Sequence, residues 1–280
     1  MLKIKLSSYN LMGDILKKIF EVIGLLSLAC FSFFYTSQIS SVIKENNDIY
    51  KEIKDISLQY KKEALDAKIS GDDIIPGISG SVIDIDKSYE KMEKINSFNS
   101  NLLVYKNVKP NISIDDIYDK YIISGNKNKN QASLVFLLDV DDDISNILNI
   151  LSNYDVKANF LIDYKDLNKN VLNLTQYGHN VLVYGDLKNI NLSDFTSKEF
   201  FCFSNESDYL KHCSNYKIHT IKSNLIIKNT PLIEIKKVLN NGSIIVLENN
   251  NLVIKELPLI IEYINSKGIN LVSISKLIEE

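Results

Sequence analysis

The chain has 280 residues, 45% of them hydrophobic and 24% charged, enough to bury one sizeable core plus appendages. Its formal net charge of −3 supplies no basic field, which argues against nucleic-acid binding through phosphate neutralisation. Arg and Trp are absent while Ile, Asn and Lys are abundant, the mark of an AT-rich genome rather than of a particular chemistry.

Val22–Ile43 carries no charged residue. A helix of that length spans a hydrocarbon layer of about 30 Å. Lys3, Lys5, Lys17 and Lys18 precede it, opposed by Asp14 and Glu21. Positive flanks stay on the cytoplasmic side. The expected topology is therefore a cytoplasmic N-terminus over 1–14, a single-pass transmembrane anchor over 15–43, and an extracytoplasmic remainder at the cell membrane. A cleaved signal peptide would need an A-x-A site, which is missing. Ser27-Leu28-Ala29-Cys30 is a poor lipoprotein box, because the apolar run continues past Cys30.

Ile49, Ile53, Ile56 and Tyr60 then recur at helical spacing, one narrow stripe on a helix expected from about Lys44 to Lys68, within a stalk of 44–70. Two readings stand: a coiled-coil homodimer stalk, or a single helix packed on the next domain. Gly71 and Ile75-Pro76-Gly77 end the helix. Residues 71–131 read as a small α/β lead-in, with a helix over Asp86–Ile95, a strand over Leu102–Tyr105 and a polar hinge at Gly125–Gln131.

From Ala132 to Glu280 strand and helix patterns alternate. The expected strands are Ser133–Leu138, Lys157–Ile162, Asn180–Tyr184, Glu199–Phe203, Lys217–Ile221, Ser243–Leu247 and Asn270–Ile274, mostly continuous apolar runs suited to burial on both faces. Ile144, Ile147, Leu148 and Leu151 form the apolar face of the first helix. Ile254, Leu257 and Ile261 do so on the last, with Pro258 marking a kink or a late start. Alternating βα units give a parallel sheet, open or closed into a barrel, and periodicity does not choose between them.

The fragments VFLLDVDDD, ILNILSNYDVKANFLI, LTQYGHNVLV, GSIIVLEN and LPLIIEYINSKGINLVSISKL, in that order, resemble a NodB-type polysaccharide deacetylase of carbohydrate esterase family 4. The resemblance covers roughly the C-terminal half. It implies a deformed α/β barrel that removes acetyl groups from glycan with a divalent metal, a carboxylate base and a groove for sugars.

Most of the implied chemistry is missing. The family closes its first strand with two aspartates, a base and a metal ligand; here the pair falls on Asp139 and Val140. Asp139 fits the base, and a shifted register would use Asp141 and Asp142 instead. The two metal histidines, spaced H-x-x-x-H, fall on Tyr184 and Lys188, poor metal ligands. His179, in the retained Gly178-His179, corresponds to a non-ligand position and reads as a packed histidine. The arginine loop falls near Phe201–Ser204 without an arginine, the Asp- and Trp-bearing motif near Ile221–Asn229 without either, and the late histidine on Glu248.

The expectation is a catalytically degenerate protein that binds or acts on cell-envelope glycan, with no bound cofactor and no metal site. Its groove would draw on Asp141, Asp163, Tyr184, Asp186 and Glu248. One alternative is an active hydrolase with Asp139 as base and a divalent metal on oxygen ligands from 141–143, Asp186 or Glu248. Another is a structural envelope protein with the barrel as a rigid spacer. Cys202 and Cys213 either form one disulfide or remain buried thiols. Cys202, His212, Cys213 and His219 match no usual zinc spacing.

Overall fold

The computed structural model describes residues 2–139, 144–167, 173–187, 191–195 and 198–280. The chain divides into two compact units, residues 1–61 with 82–106, and residues 62–81 with 107–280.

In the first unit α1 (Leu2–Asn46) contains a stretch, Lys17–Asn46, long and apolar enough to cross a membrane. Phe20, Leu25, Leu28 and Phe33 along it are exposed. The Asn47 side chain accepts from the Ile49 amide and opens α2 (Asp48–Ser57). Ile53 of α2 is fully buried and clusters with Tyr89 and Met92 of α3 (Ile85–Glu93). Lys44 bonds Asp86 at 2.7 Å, with its ammonium over the Tyr50 and Tyr89 rings.

The helix expected to reach Lys68 thus stops at Ser57. Its stripe of Ile49, Ile53 and Ile56 packs within the unit. Beyond it no apolar helical repeat remains to hold a helix in place, and Tyr60 is exposed. Lys62 and Leu65 instead bridge antiparallel to Ser81 and Ile78. β1 (Lys68–Ser70) turns at Gly71 into β2 (Asp73–Ile75). The expected lead-in also divides: 82–106 belongs to the first unit, the rest to the second. Its strand lies at Tyr105–Val108 (β4), paired with Gly80–Ile83 (β3), while Ser100–Leu102 forms a 3-10 turn.

The second unit is a curled sheet with helices outside. Its strands are β5 (Tyr121–Ile122), β6 (Gln131–Leu138), β7 (Asn159–Asp163), β8 (Asn180–Tyr184), β9 (Phe200–Phe203), β10 (Thr220–Ile221), β11 (Ile226–Ile227), β12 (Ile244–Glu248) and β13 (Asn270–Leu271). The order is β1-β2-β5-β10-β9-β8-β7-β6-β12-β11, with β13 beside β6. From β5 to β11 every neighbour is parallel.

Alternation along the strands builds two cores. Leu134, Phe136, Phe160, Ile162, Val181, Val183, Ile245 and Leu247 face outward, under α4 (Ser145–Asn153), α5 (Ser207–Asn215), α6 (Pro231–Val238) and α7 (Asn251–Ser266). Val135, Leu161, Leu182, Phe201, Ile221 and Val246 face inward and share a core with Ile74 and Ile122 from the other end of the sheet. Ser223 Oγ donates to the Ile244 carbonyl at 2.9 Å, and the Gly125 amide to the Gly242 carbonyl at 2.9 Å, so the two ends of the path approach each other. Helix α7 runs unbroken from its Asn250 cap through Pro258, so the proline marks no late start.

The last expected strand is shorter than its pattern suggested. It ends at Leu271, and Ile274 opens a short helix, α8 (Ile274–Ile278). Ile274, Leu277 and Ile278 fill the inner core. Asn159 Oδ1 accepts from the Ile274 amide at 2.6 Å, and Asn180 Oδ1 from the Ser275 amide at 2.8 Å. These asparagines open β7 and β8, so α8 stops the N-terminal end of the curl and leaves the C-terminal end for a site.

Candidate functional site

β7, β8 and β12 end on Asp163, Tyr184 and Glu248, and Asp139 follows directly on Leu138, the last residue of β6. Pleating decides where they point. Val135, Leu161, Leu182 and Val246 face the inner core, and each named residue continues that parity. Asp163 and Tyr184 are register partners, and Glu248 pairs with Leu137. C-terminal strand ends are where such folds assemble their sites.

Tyr184 reports which of these residues come together. Its phenol is held above the usual tyrosine range, first by burial, then by the charges of Asp163, Asp139 and Asp166. Of the residues singled out from the sequence, Asp163 and Tyr184 are register partners, and Asp139 follows Leu138, the partner of Ile162, so these three strand ends lie side by side. Asp163 also shapes the backbone locally. Its Oδ1 accepts from the Lys165 amide at 3.0 Å and caps the turn Tyr164–Asp166. Gly185, at φ +102°, permits this closeness, since a Cβ there would stand 2.9 Å from Asp163 Oδ1.

Glu248 stands apart from that group electrostatically, 3.4 Å from the Lys228 ammonium. Asp186 is exposed, one residue beyond Gly185. Asp141, Val140 and Lys188 lie outside the described residues. Phe203, inward at the end of β9, and Lys228 were not foreseen; alternation marks the first, whereas no spacing rule links Lys228 to Glu248.

Among the described residues, the donor set at this mouth does not fit a metal ion. Tyr184 occupies a position where the resemblance places a histidine ligand, and burial and nearby carboxylates raise its pKa. Among the described residues no group of three or more His, Cys, Asp or Glu side chains is placed to hold one.

His179 is a packed residue. Its Nδ1 accepts from the Ala158 amide at 3.1 Å, its ring stands edge-on to Phe160, and burial lowers its pKa. His219 stacks on Tyr118 at 4.4 Å, and burial pushes its pKa down to about 4. Cys202 and Cys213 form a disulfide, with both residues fully buried between β9 and α5. Their sulfurs are not zinc ligands.

A parallel βα sheet curled around an inner core, with carboxylates and an aromatic at the strand ends, is the fold of the NodB-type polysaccharide deacetylases of carbohydrate esterase family 4. Known structures bear this out. The chain superimposes on BA3943 of Bacillus anthracis, described as a CE4 family pseudoenzyme, with a TM-score of 0.59 and 20% identity over 82% of this chain and 95% of that one. A BA3943 mutant, described as having restored enzymatic activity, gives a TM-score of 0.60 at 20% identity, covering 82% and 98%. In sequence, the chain is 28% identical over 137 residues to the uncharacterized protein YlxY of Bacillus subtilis. That match covers 47% of this chain and 42% of YlxY, less than half the length of the curated relative. No family model matches the chain.

Proposed function

We propose that this polysaccharide-deacetylase-like protein is anchored in the cell membrane with its C-terminal domain outside, and that it binds cell-envelope glycan at the strand-end mouth without hydrolysing it. One observation carries the reading. Tyr184, where the resemblance places a metal histidine, is the register partner of Asp163 at the end of β8, and burial and the charges of Asp163, Asp139 and Asp166 raise its phenol pKa. Without a metal to activate water and polarise the acetamide, Asp139 has no Lewis-acid partner. The mouth keeps what sugar binding needs: carboxylates to accept hydroxyl hydrogen bonds, and the Tyr184 and Phe203 rings. The pseudoenzyme description of BA3943 supports the reading by analogy of fold.

Two independent features favour an extracytoplasmic domain. Lysines precede the apolar span, and the Cys202–Cys213 disulfide suits an oxidising compartment.

The test is titration of the full-length protein in detergent with chitin and chitosan oligomers, alongside metal analysis. Binding that survives chelator and is lost in Tyr184→Ala is expected. One tightly held divalent metal per chain would overturn the reading.

A second reading, hydrolysis with Asp139 as base, draws on Asp139 and Asp163 following the register pair Leu138 and Ile162 at adjacent strand ends. Glu248 is less suited to a ligand role there, since Lys228 already pairs with it.

A further inference from the structure

Lys127 lines two pockets that meet at the turn before β12, the second of them reaching to the residues that follow β5 and β10. One, about 450 Å³, is lined by Lys127, Asn240, Asn241, Tyr263 and Lys267. The other, about 400 Å³, lies between the two ends of the sheet and adds Lys222, Ser124 and Asn224. Both adjoin Gly242, just before β12, and Gln131 opens β6 beside it. The run of β6 places Gln131, and with it the Lys127 side of the pockets, about 25 Å from Asp139.

Lys127 rides on a stiff junction. The Gly242 amide donates to the Gln131 carbonyl at 2.7 Å, and Asn241 Nδ2 to Asn130 Oδ1 at 2.9 Å. Gly242 has φ +86°, and a Cβ there would collide with the Gly125 carbonyl. The loop 125–131 and the turn 240–243 are thus clasped together.

The charges around this junction are unbalanced. Among the described residues Lys127, Lys236 and Lys267 have no acid at ion-pair distance, although the chain as a whole is net negative. Lys236 and Lys267 each place an ammonium 5.3 Å from the Tyr263 ring centre. Nearby acids are committed elsewhere: Glu256 accepts from the Leu232 amide and Glu262 from the Tyr154 hydroxyl. Asp73, the acid of the second pocket, is bonded to Lys222 at 3.0 Å.

We infer that this face binds an anionic glycan, a saccharide or polyol polymer carrying phosphate or carboxylate groups. Unpaired ammoniums meet the oxyanions, amides and hydroxyls meet the polyol, and two adjoining pockets bridged by one lysine suit successive units of a chain better than a single headgroup. The site is separate from the mouth and does not depend on the reading of it.

The probe is poly(glycerol phosphate), titrated against the full-length protein in neutral detergent, with dextran as the uncharged control. Lys127→Glu/Lys267→Glu is expected to weaken binding about tenfold or more without changing the thermal midpoint, and added salt to weaken binding of the wild type. The milder Lys127→Gln/Lys267→Gln should fall between. Tyr184→Ala should leave polymer binding intact. Equal binding of dextran, or an unchanged affinity in the charge-reversed variant, overturns the proposal. So does tighter binding of short-chain phosphatidylglycerol than of the polymer at matched phosphate, which would mark a lipid site.

Discussion

Asp163 and Tyr184 are register partners at the ends of β7 and β8, and the carboxylate adds to burial in holding the phenol protonated. A cation bound at this point would do the reverse and favour the phenolate. Val140→Asp/Tyr184→His/Lys188→His, which returns the ligand types the resemblance calls for, should bind zinc at least about a hundredfold more tightly than the wild type by competition with a chelating dye. Equal affinities would show that the ligand positions are misassigned.

The Cys202–Cys213 bond closes a short loop, with a sequence separation of 11. Chain entropy puts its contribution at about 3 kcal/mol. Cys202→Ser/Cys213→Ser should lower unfolding stability by roughly that amount in denaturant titration. In unreduced, denatured protein only Cys30 should react with maleimide.

Asn159 serves two backbone groups inside the protein, donating to the Leu134 carbonyl at 2.7 Å and accepting from the Ile274 amide. Asn159→Ala leaves both unpaired and should cost roughly 2–4 kcal/mol. Hydrogen exchange at 274–278 should rise more than at β7 if α8 is held as described.

His219 fixes a pH dependence. Its folded pKa of about 4 lies below the ordinary value of 6.5, so between these values the unfolded chain binds the extra proton. Stability should fall as pH drops from 6.5 towards 4, by roughly 3 kcal/mol at most, and level off below. His219→Phe, which keeps a ring against Tyr118, should flatten most of that slope. Buried His179, also lowered, contributes in the same direction.

Much of this was legible in the chain because parallel strands covered on both faces are written as apolar runs. VFLL, NFLI, NVLV and IIVL each became a strand, and the residues ending them reached one mouth. β1, β2, β5 and β10 span only two or three residues, too few to register a period. VSISKLI alternates like a strand, yet its isoleucines and leucine enter the inner core from a short helix that two distant asparagines cap. The Ile49/Ile53/Ile56 stripe was plain, but its partner α3 was set by tertiary packing. The Lys228–Glu248 pair and the disulfide rest on geometry that no spacing encodes.

The most direct measurement is acetate release from acetylated chitin oligomers and peptidoglycan by the full-length protein with zinc, manganese, cobalt or chelator, beside Asp139→Asn. No release above that of Asp139→Asn is expected under any condition, from folded protein that still binds glycan. Metal-dependent release that Asp139→Asn abolishes would contradict it and establish an active deacetylase with a different ligand set.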